Sequence, residues 1–222
     1  MLRDIPRRVA ALKQLQGSSE IFGAEKHKFR LRPHRSEELA LLEVHLGVEL
    51  PETYRQFMIE VGSGAGPHYG IFSADELLKN FSRLKTYLDE EQPRSNPAKD
   101  FAFHRHEAAA LELHHREGAE QPWLSASWPT DGCVPICFRG CQYWTALVTA
   151  GELTGTVWDV AFGDGSDGQW IPAQRASGLL KLRSRIKLPD LSSPPTFPEW
   201  YKAWLERVEV DLASRAKVPA ED

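Results

Sequence analysis

The sequence predicts an α+β fold in which an antiparallel sheet is flanked by helices, and three observations carry that expectation. Helical periodicity fills the chain up to about residue 88 and returns in its last helix from residue 196. Between those stretches the pattern changes to short runs rich in β-branched and aromatic residues, separated by glycine-bearing turns. Helices segregated in sequence from strands argue for α+β rather than for an alternating α/β fold. The third observation is material for a core: 41% of the residues are hydrophobic, including seven tryptophans and ten phenylalanines. A chain of 222 residues can then bury a core without metals or disulfides.

Each helix carries start and stop signals. The first is expected over Ile5 to Gln16, with Asp4 as its cap, Pro6 in the first turn and Ile5, Val9 and Leu12 on one face. Ser36 is placed to cap the second, and Glu37 and Glu38 complement the positive end of its dipole. Leu39, Leu42 and Leu46 form its inner stripe, and Gly47 stops it because glycine takes the left-handed conformation without strain. The third starts at Pro51 and sets Tyr54, Phe57, Met58 and Val61 at i, i+3, i+4 and i+7 before Gly62. A capping box, Ser73 with Glu76, opens the fourth, whose stripe is Leu77, Phe81, Leu84 and Leu88. The last repeats that device with Thr196 and Glu199. Its stripe of Phe197, Trp200, Tyr201, Trp204, Leu205, Val208 and Leu212 is wide and aromatic, as suits a helix packed on the core.

The strands are expected at Cys133–Phe138, Tyr143–Val148, Thr156–Phe162 and Gln169–Ile171, an antiparallel meander with some strands buried on both faces. Pro135 favours an edge or a strand start for the first of them. A further short strand is expected at Lys28–Leu31. Residues 91–130, with one short helix at Glu107–Arg116, and residues 172–195 are proline-rich excursions from a single domain.

Composition also excludes. Charged residues 3, 4, 7 and 8 occupy the place where a signal peptide needs an apolar run. No stretch approaches the roughly 20 apolar residues of a membrane span. Three clustered cysteines, Cys133, Cys137 and Cys141, do not make a disulfide framework, so a reducing cytoplasm is the expected location. The net charge of −4 provides no overall basic footprint for direct nucleic-acid binding.

Several motifs, in order, resemble one family. Leu46-Gly47, Leu50-Pro51, Tyr54-Arg55 and Phe57 are spaced like the opening motif of the SUKH superfamily, which comprises bacterial immunity proteins and fungal cell-wall-synthesis regulators. Val61-Gly62 and residues 64–72 resemble the glycine-rich turn and first strand of one bacterial branch. Val134-Pro135-Ile136-Cys137 with Gly140-Cys141-Gln142-Tyr143 resembles its central hairpin. Gly155-Thr156-Val157-Trp158-Asp159 is similar to its next strand, and Phe197, Trp200, Tyr201 and Trp204 to its closing helix. The resemblance implies a single SUKH-like domain at residues 28–213, preceded by a helical extension at 1–27 and followed by a tail at 214–222. It further implies a non-catalytic protein that neutralises a toxin domain encoded nearby, often a nuclease or deaminase.

Candidate sites have bland readings beside sharp ones. At x3 spacing the cysteines fit zinc poorly, and Cys133 and Cys137 are expected on one face of one strand as small buried side chains. His104, His106, His114 and His115 cluster without a recognisable ligand partner. Gly163 to Trp170 faintly resembles a calcium-binding nonapeptide, but such sites need stacked copies and a tight turn between strands is the expected reading. Lys181, Arg183, Arg185 and Lys187 alternate with apolar residues and read as a solvated strand edge or a phosphate-contacting patch. The acidic residues Glu152, Asp159, Asp164 and Asp167, with Trp158 and Trp170 near them, are the expected partner-binding set, since carboxylates around an aromatic anchor would steer and hold a basic nuclease cleft. No catalytic residue, metal site or cofactor is assigned. Three functions compete: an inhibitor of a cognate toxin domain, a scaffold or regulator of an endogenous partner such as cell-wall synthesis machinery, and a metal-dependent enzyme or regulator using the cysteine-histidine region.

Overall fold

The computed structural model describes residues 2–88, 96–101, 131–141, 143–163, 166–173 and 194–216. Its elements in chain order are α1 (Ile5–Leu12), α2 (Ala24–His27), β1 (Leu31–Arg32), α3 (Ser36–Leu46), α4 (Glu52–Glu60) and β2 (Ser63–Gly64). Then follow α5 (Ala74–Leu88), β3 (Cys133–Gly140), β4 (Tyr143–Val148), β5 (Val157–Gly163), β6 (Ser166–Pro172) and α6 (Phe197–Arg215). The fold is α+β, as its residue pattern predicts.

Strands β3 to β6 pair antiparallel in chain order, and β1 pairs antiparallel with β2. Ile71 joins the two sheets by bridging Gly64 on one side and Cys137 on the other. Beside it the Phe72 N–H donates to the Ile136 carbonyl at 2.9 Å. Pairing therefore runs from β1 across to β6. Gly62 allows the close approach this needs: its φ is +102°, and a side chain there would run into the backbone of Arg32 and Pro33, which only glycine avoids.

Residues 144–148 of β4 and 157–160 of β5 are buried on both faces. One face carries Thr145 and Leu147 beside Val157 and Asp159; the other carries Trp144, Ala146 and Val148 beside Trp158 and Val160. Phe72 and Phe138 close on Trp144, and Phe101 on Trp158. The segment 96–101 is pinned there too: Thr149 donates to the Pro97 carbonyl at 2.7 Å, and the Phe101 N–H to the Ala150 carbonyl at 3.2 Å.

Helices α4 and α6 meet through rings. Phe197 lies edge-on to Tyr54 and Phe57 at centroid distances of 4.8 and 4.9 Å, and Tyr201 lies 4.6 Å from Phe57. Tyr201 also donates its hydroxyl to the Ala65 carbonyl at 2.8 Å, so the same side chain holds the glycine-rich segment. Both capping boxes form: the Ser73 N–H donates to Glu76 at 2.8 Å, and the Thr196 N–H to Glu199 at 2.9 Å.

Three expectations need correction. Helix α1 ends at Leu12 rather than Gln16, because beyond it Leu15 is exposed and Gly17 turns left-handed. Ile5, Val9 and Leu12 join the common core, and Arg8 forks onto Glu209 of α6 with two bonds of 2.7 Å. The early strand is Leu31–Arg32, not Lys28–Leu31, since Lys28 and Phe29 hold φ of 50° and 49° as they close α2. Pro135 does lie on an edge strand of the four-stranded sheet, as expected, and the register slips directly after it; a bulge is where a sheet accommodates a residue with no N–H to donate. Ser36 does not cap α3; it accepts a hydrogen bond from Arg55 at 2.7 Å instead.

Trp204 is 5% exposed within the α6 stripe. Trp204→Ala is expected to cost about 3–5 kcal/mol in denaturant unfolding, whereas an unchanged midpoint would contradict the packing of α6.

Candidate functional site

The bulge at Pro135 decides where the cysteines point. Cys133 lies opposite Val148, whereas Cys137 lies opposite Thr145, its register having moved by one. An odd shift carries the later residues to the other face, so the two cysteines do not share a face as the unbroken alternation predicts. Both are buried, and burial pushes both thiols up; thiols kept protonated in this way are poor nucleophiles and poor metal ligands. The Cys137 thiol donates to the Pro67 carbonyl at 3.2 Å. Cys141 is exposed, beyond the β3 turn. Among the described residues no group of three or more His, Cys, Asp or Glu side chains converges as metal ligands would, and no helix is long and apolar enough to cross a membrane.

Asp159 departs most from its expected role. It is 3% exposed, in the middle of β5, and the Arg139 guanidinium approaches its carboxylate to 2.8 Å. Thr145, directly opposite on β4, donates its hydroxyl to the other carboxylate oxygen at 2.9 Å. Burial pushes this carboxyl up to about 6, with the Arg139 charge and the Thr145 hydrogen bond opposing the shift. Asp159 is thus an internal strut between β3, β4 and β5, not part of a surface patch. Trp158 is likewise core, its indole N–H donating to Thr156 at 3.1 Å. Pattern alone missed Arg139 and Thr145. The available signal was a threonine and an aspartate at inward strand positions, each of which needs a polar partner.

The remaining acidic residues do not form one cluster. A meander alternates its turns between the two ends of the sheet. Glu152 is exposed in the β4–β5 connection, at one end. Asp167, expected in a turn, is instead the second residue of β6 at the other end, where the β3–β4 turn also lies, because the strand begins at Ser166; Trp170 is farther along β6, opposite Val160. Tyr143, at the start of β4 and 51% exposed, belongs to that second end. Asp164, the four clustered histidines, the expected helix at 107–116 and the basic alternation at 181–187 lie outside the described residues.

Comparison of the chain with family models, with curated proteins and with solved structures gives no match.

The Asp159 carboxyl is raised in the folded protein, so its proton is bound more tightly there than in the unfolded chain. Stability from this group is therefore full below the ordinary aspartate pKa of about 4 and is lost as pH rises through about 6. Asp159→Asn removes this dependence. Measured by urea unfolding at pH 4 and pH 7.5, the free-energy difference between variant and parent should move in the variant's favour by about 2–3 kcal/mol as pH rises. A difference independent of pH would contradict the buried pair.

Proposed function

We propose that the chain is an immunity-type protein, which binds a cognate toxin domain and neutralises it without chemistry of its own. The observation that supports this reading is the ordered motif set that resembles the SUKH superfamily, because many of its residues pack into the core. Leu46, Leu50, Tyr54 and Phe57 are all buried around the α3–α4 corner. Glu43 binds that corner from inside, accepting the Leu50 N–H at 3.0 Å and pairing with Arg55 at 3.5 Å. The glycine-rich segment and the closing helix of the motif set then meet where Tyr201 donates to the Ala65 carbonyl. A motif whose members are mostly structural accounts for a fold and leaves the surface free to differ between partners.

The contact is assigned to the sheet end that carries the β3–β4 and β5–β6 turns. There Tyr143 presents an exposed ring, Asp167 lies near the start of β6, and Asp164 stands three residues before it in the sequence. A rigid aromatic anchor beside carboxylates suits the basic cleft of a nuclease or deaminase. Glu152 is at the opposite end of β5 and is left out of this contact.

The test is co-expression with the toxin domain encoded nearby, together with association kinetics at low and high salt. The parent should protect cells and bind one to one. Asp164→Lys with Asp167→Lys should slow association by about tenfold or more and flatten its salt dependence, as expected when long-range attraction sets the encounter rate. Glu152→Lys should change neither. Failure of the parent to protect contradicts the immunity reading; equal effects at the two ends contradict the assigned contact.

A further inference from the structure

Away from the strand turns, a cavity of about 300 Å³ opens between α6, the Glu20–Phe22 segment and the Pro67–His68 turn. Its walls are mostly apolar, with Trp204 and Val208 on the helix side and Ile21 and Phe22 across from them. Phe22 is 57% exposed and leans on Tyr69 at 5.1 Å, forming a lip.

Three charged side chains of this cavity satisfy one another. Arg215 donates to Glu20 at 2.6 Å and to Asp211 at 2.9 Å. Arg207 has no such arrangement: it is half-buried in the wall, and no hydrogen bond or ion pair holds it among the described residues. Burial lowers its pKa, as expected of a cation that has lost water without gaining a partner among the described residues. Next to it is His68, whose ring also lines the cavity and whose Nε2 is buried without a hydrogen-bond partner. Burial, with the Arg139 and Arg207 charges behind it, holds this imidazole down to about 3, so it adds no positive charge of its own. A desolvated, unpaired guanidinium is costly in the empty protein and is relieved by an anion with matching geometry.

We propose that this cavity binds a small organic carboxylate with a flat apolar body, its carboxylate on Arg207 and its body against Trp204, Val208 and Phe22. A guanidinium fork and a carboxylate meet in a bidentate pair. Two features favour a carboxylate over a phosphate. Glu20 and Asp211 share the cavity and oppose a second negative charge, and the apolar walls reward a hydrocarbon body. The volume is at the small end of ligand sites, which suits a single ring rather than a nucleotide. This assignment uses none of the residues of the proposed toxin contact and stands or falls independently of it.

The experiment is a titration of the full chain with benzoate, benzamide and phenyl phosphate, followed by the Trp204 indole resonance in two-dimensional NMR. Benzoate is expected to shift that resonance saturably with a Kd on the order of 1 mM, the affinity open to a ligand of about nine heavy atoms. Benzamide, which keeps the shape and lacks the charge, should bind at least about tenfold more weakly, and phenyl phosphate should fall below benzoate. Arg207→Met should weaken benzoate by about tenfold or more, equivalent to about 1.4 kcal/mol, without moving the other indole resonances. Arg207→Lys, which keeps the charge but not the fork, should bind between the two and guards against misfolding of the methionine variant. Benzamide binding as well as benzoate, no saturation by about 10 mM benzoate, or undiminished binding by a folded Arg207→Met would each overturn the proposal.

Discussion

The packing of three rings, Phe57 of α4 with Phe197 and Tyr201 of α6, is the contact on which the other parts of the structure converge. Centroid separations of 4.6 to 4.9 Å are within the range where aromatic pairs gain more than their buried area alone. Phe197 starts α6 just after the Thr196 cap, so the helix enters at the point where its N–H bonds the Gly155 carbonyl at 3.0 Å. Tyr201, one turn later, reaches Ala65. The cluster thereby fixes the β4–β5 connection, the glycine-rich segment and α4 relative to one another, and α1 then docks on α6 through Arg8 and Glu209.

Inside that frame the sheet carries one internal charge pair. Arg139 and Asp159 bridge β3 and β5 across β4, and Thr145 supplies the hydrogen bond from the strand between them. A buried pair of this kind contributes little net stability but penalises alternatives, because a one-residue slip of either strand would leave a charge unpaired. The bulge at Pro135 makes register a live issue in β3, and the pair fixes it on the far side of the bulge. One of the acidic residues expected on a binding surface has this structural role instead.

What was legible in the sequence follows from how locally each feature is determined. The capping boxes at Ser73 and Thr196, the inner stripe of α3 and the strands β3 to β5 depend on neighbours within a turn or a strand, and they agree with the structure closely. The continuity of the sheet through Ile71 was not legible, since it depends on a single residue pairing with Gly64 and Cys137. The left-handed Lys28 and Phe29, non-glycine residues in a conformation that sequence disfavours, displaced β1. The faces of Cys133 and Cys137 were missed because alternation counts residues and cannot count a bulge. Asp159 was assigned to the surface because carboxylates usually are; its partner Arg139 is twenty residues away along the chain. The Arg207 cavity left no mark at all, because Glu20, His68 and Arg207 come from three separate segments.

The ring cluster is tested most directly by a double-mutant cycle on Phe57→Leu and Phe197→Leu, followed by urea unfolding of the parent, both single variants and the double variant. Leucine keeps the apolar character and removes the edge-to-face geometry. The expected result is a coupling energy of about 0.5–1.5 kcal/mol between the two sites. Strictly additive effects, with coupling below about 0.3 kcal/mol, would contradict the claim that this contact joins α4 to α6.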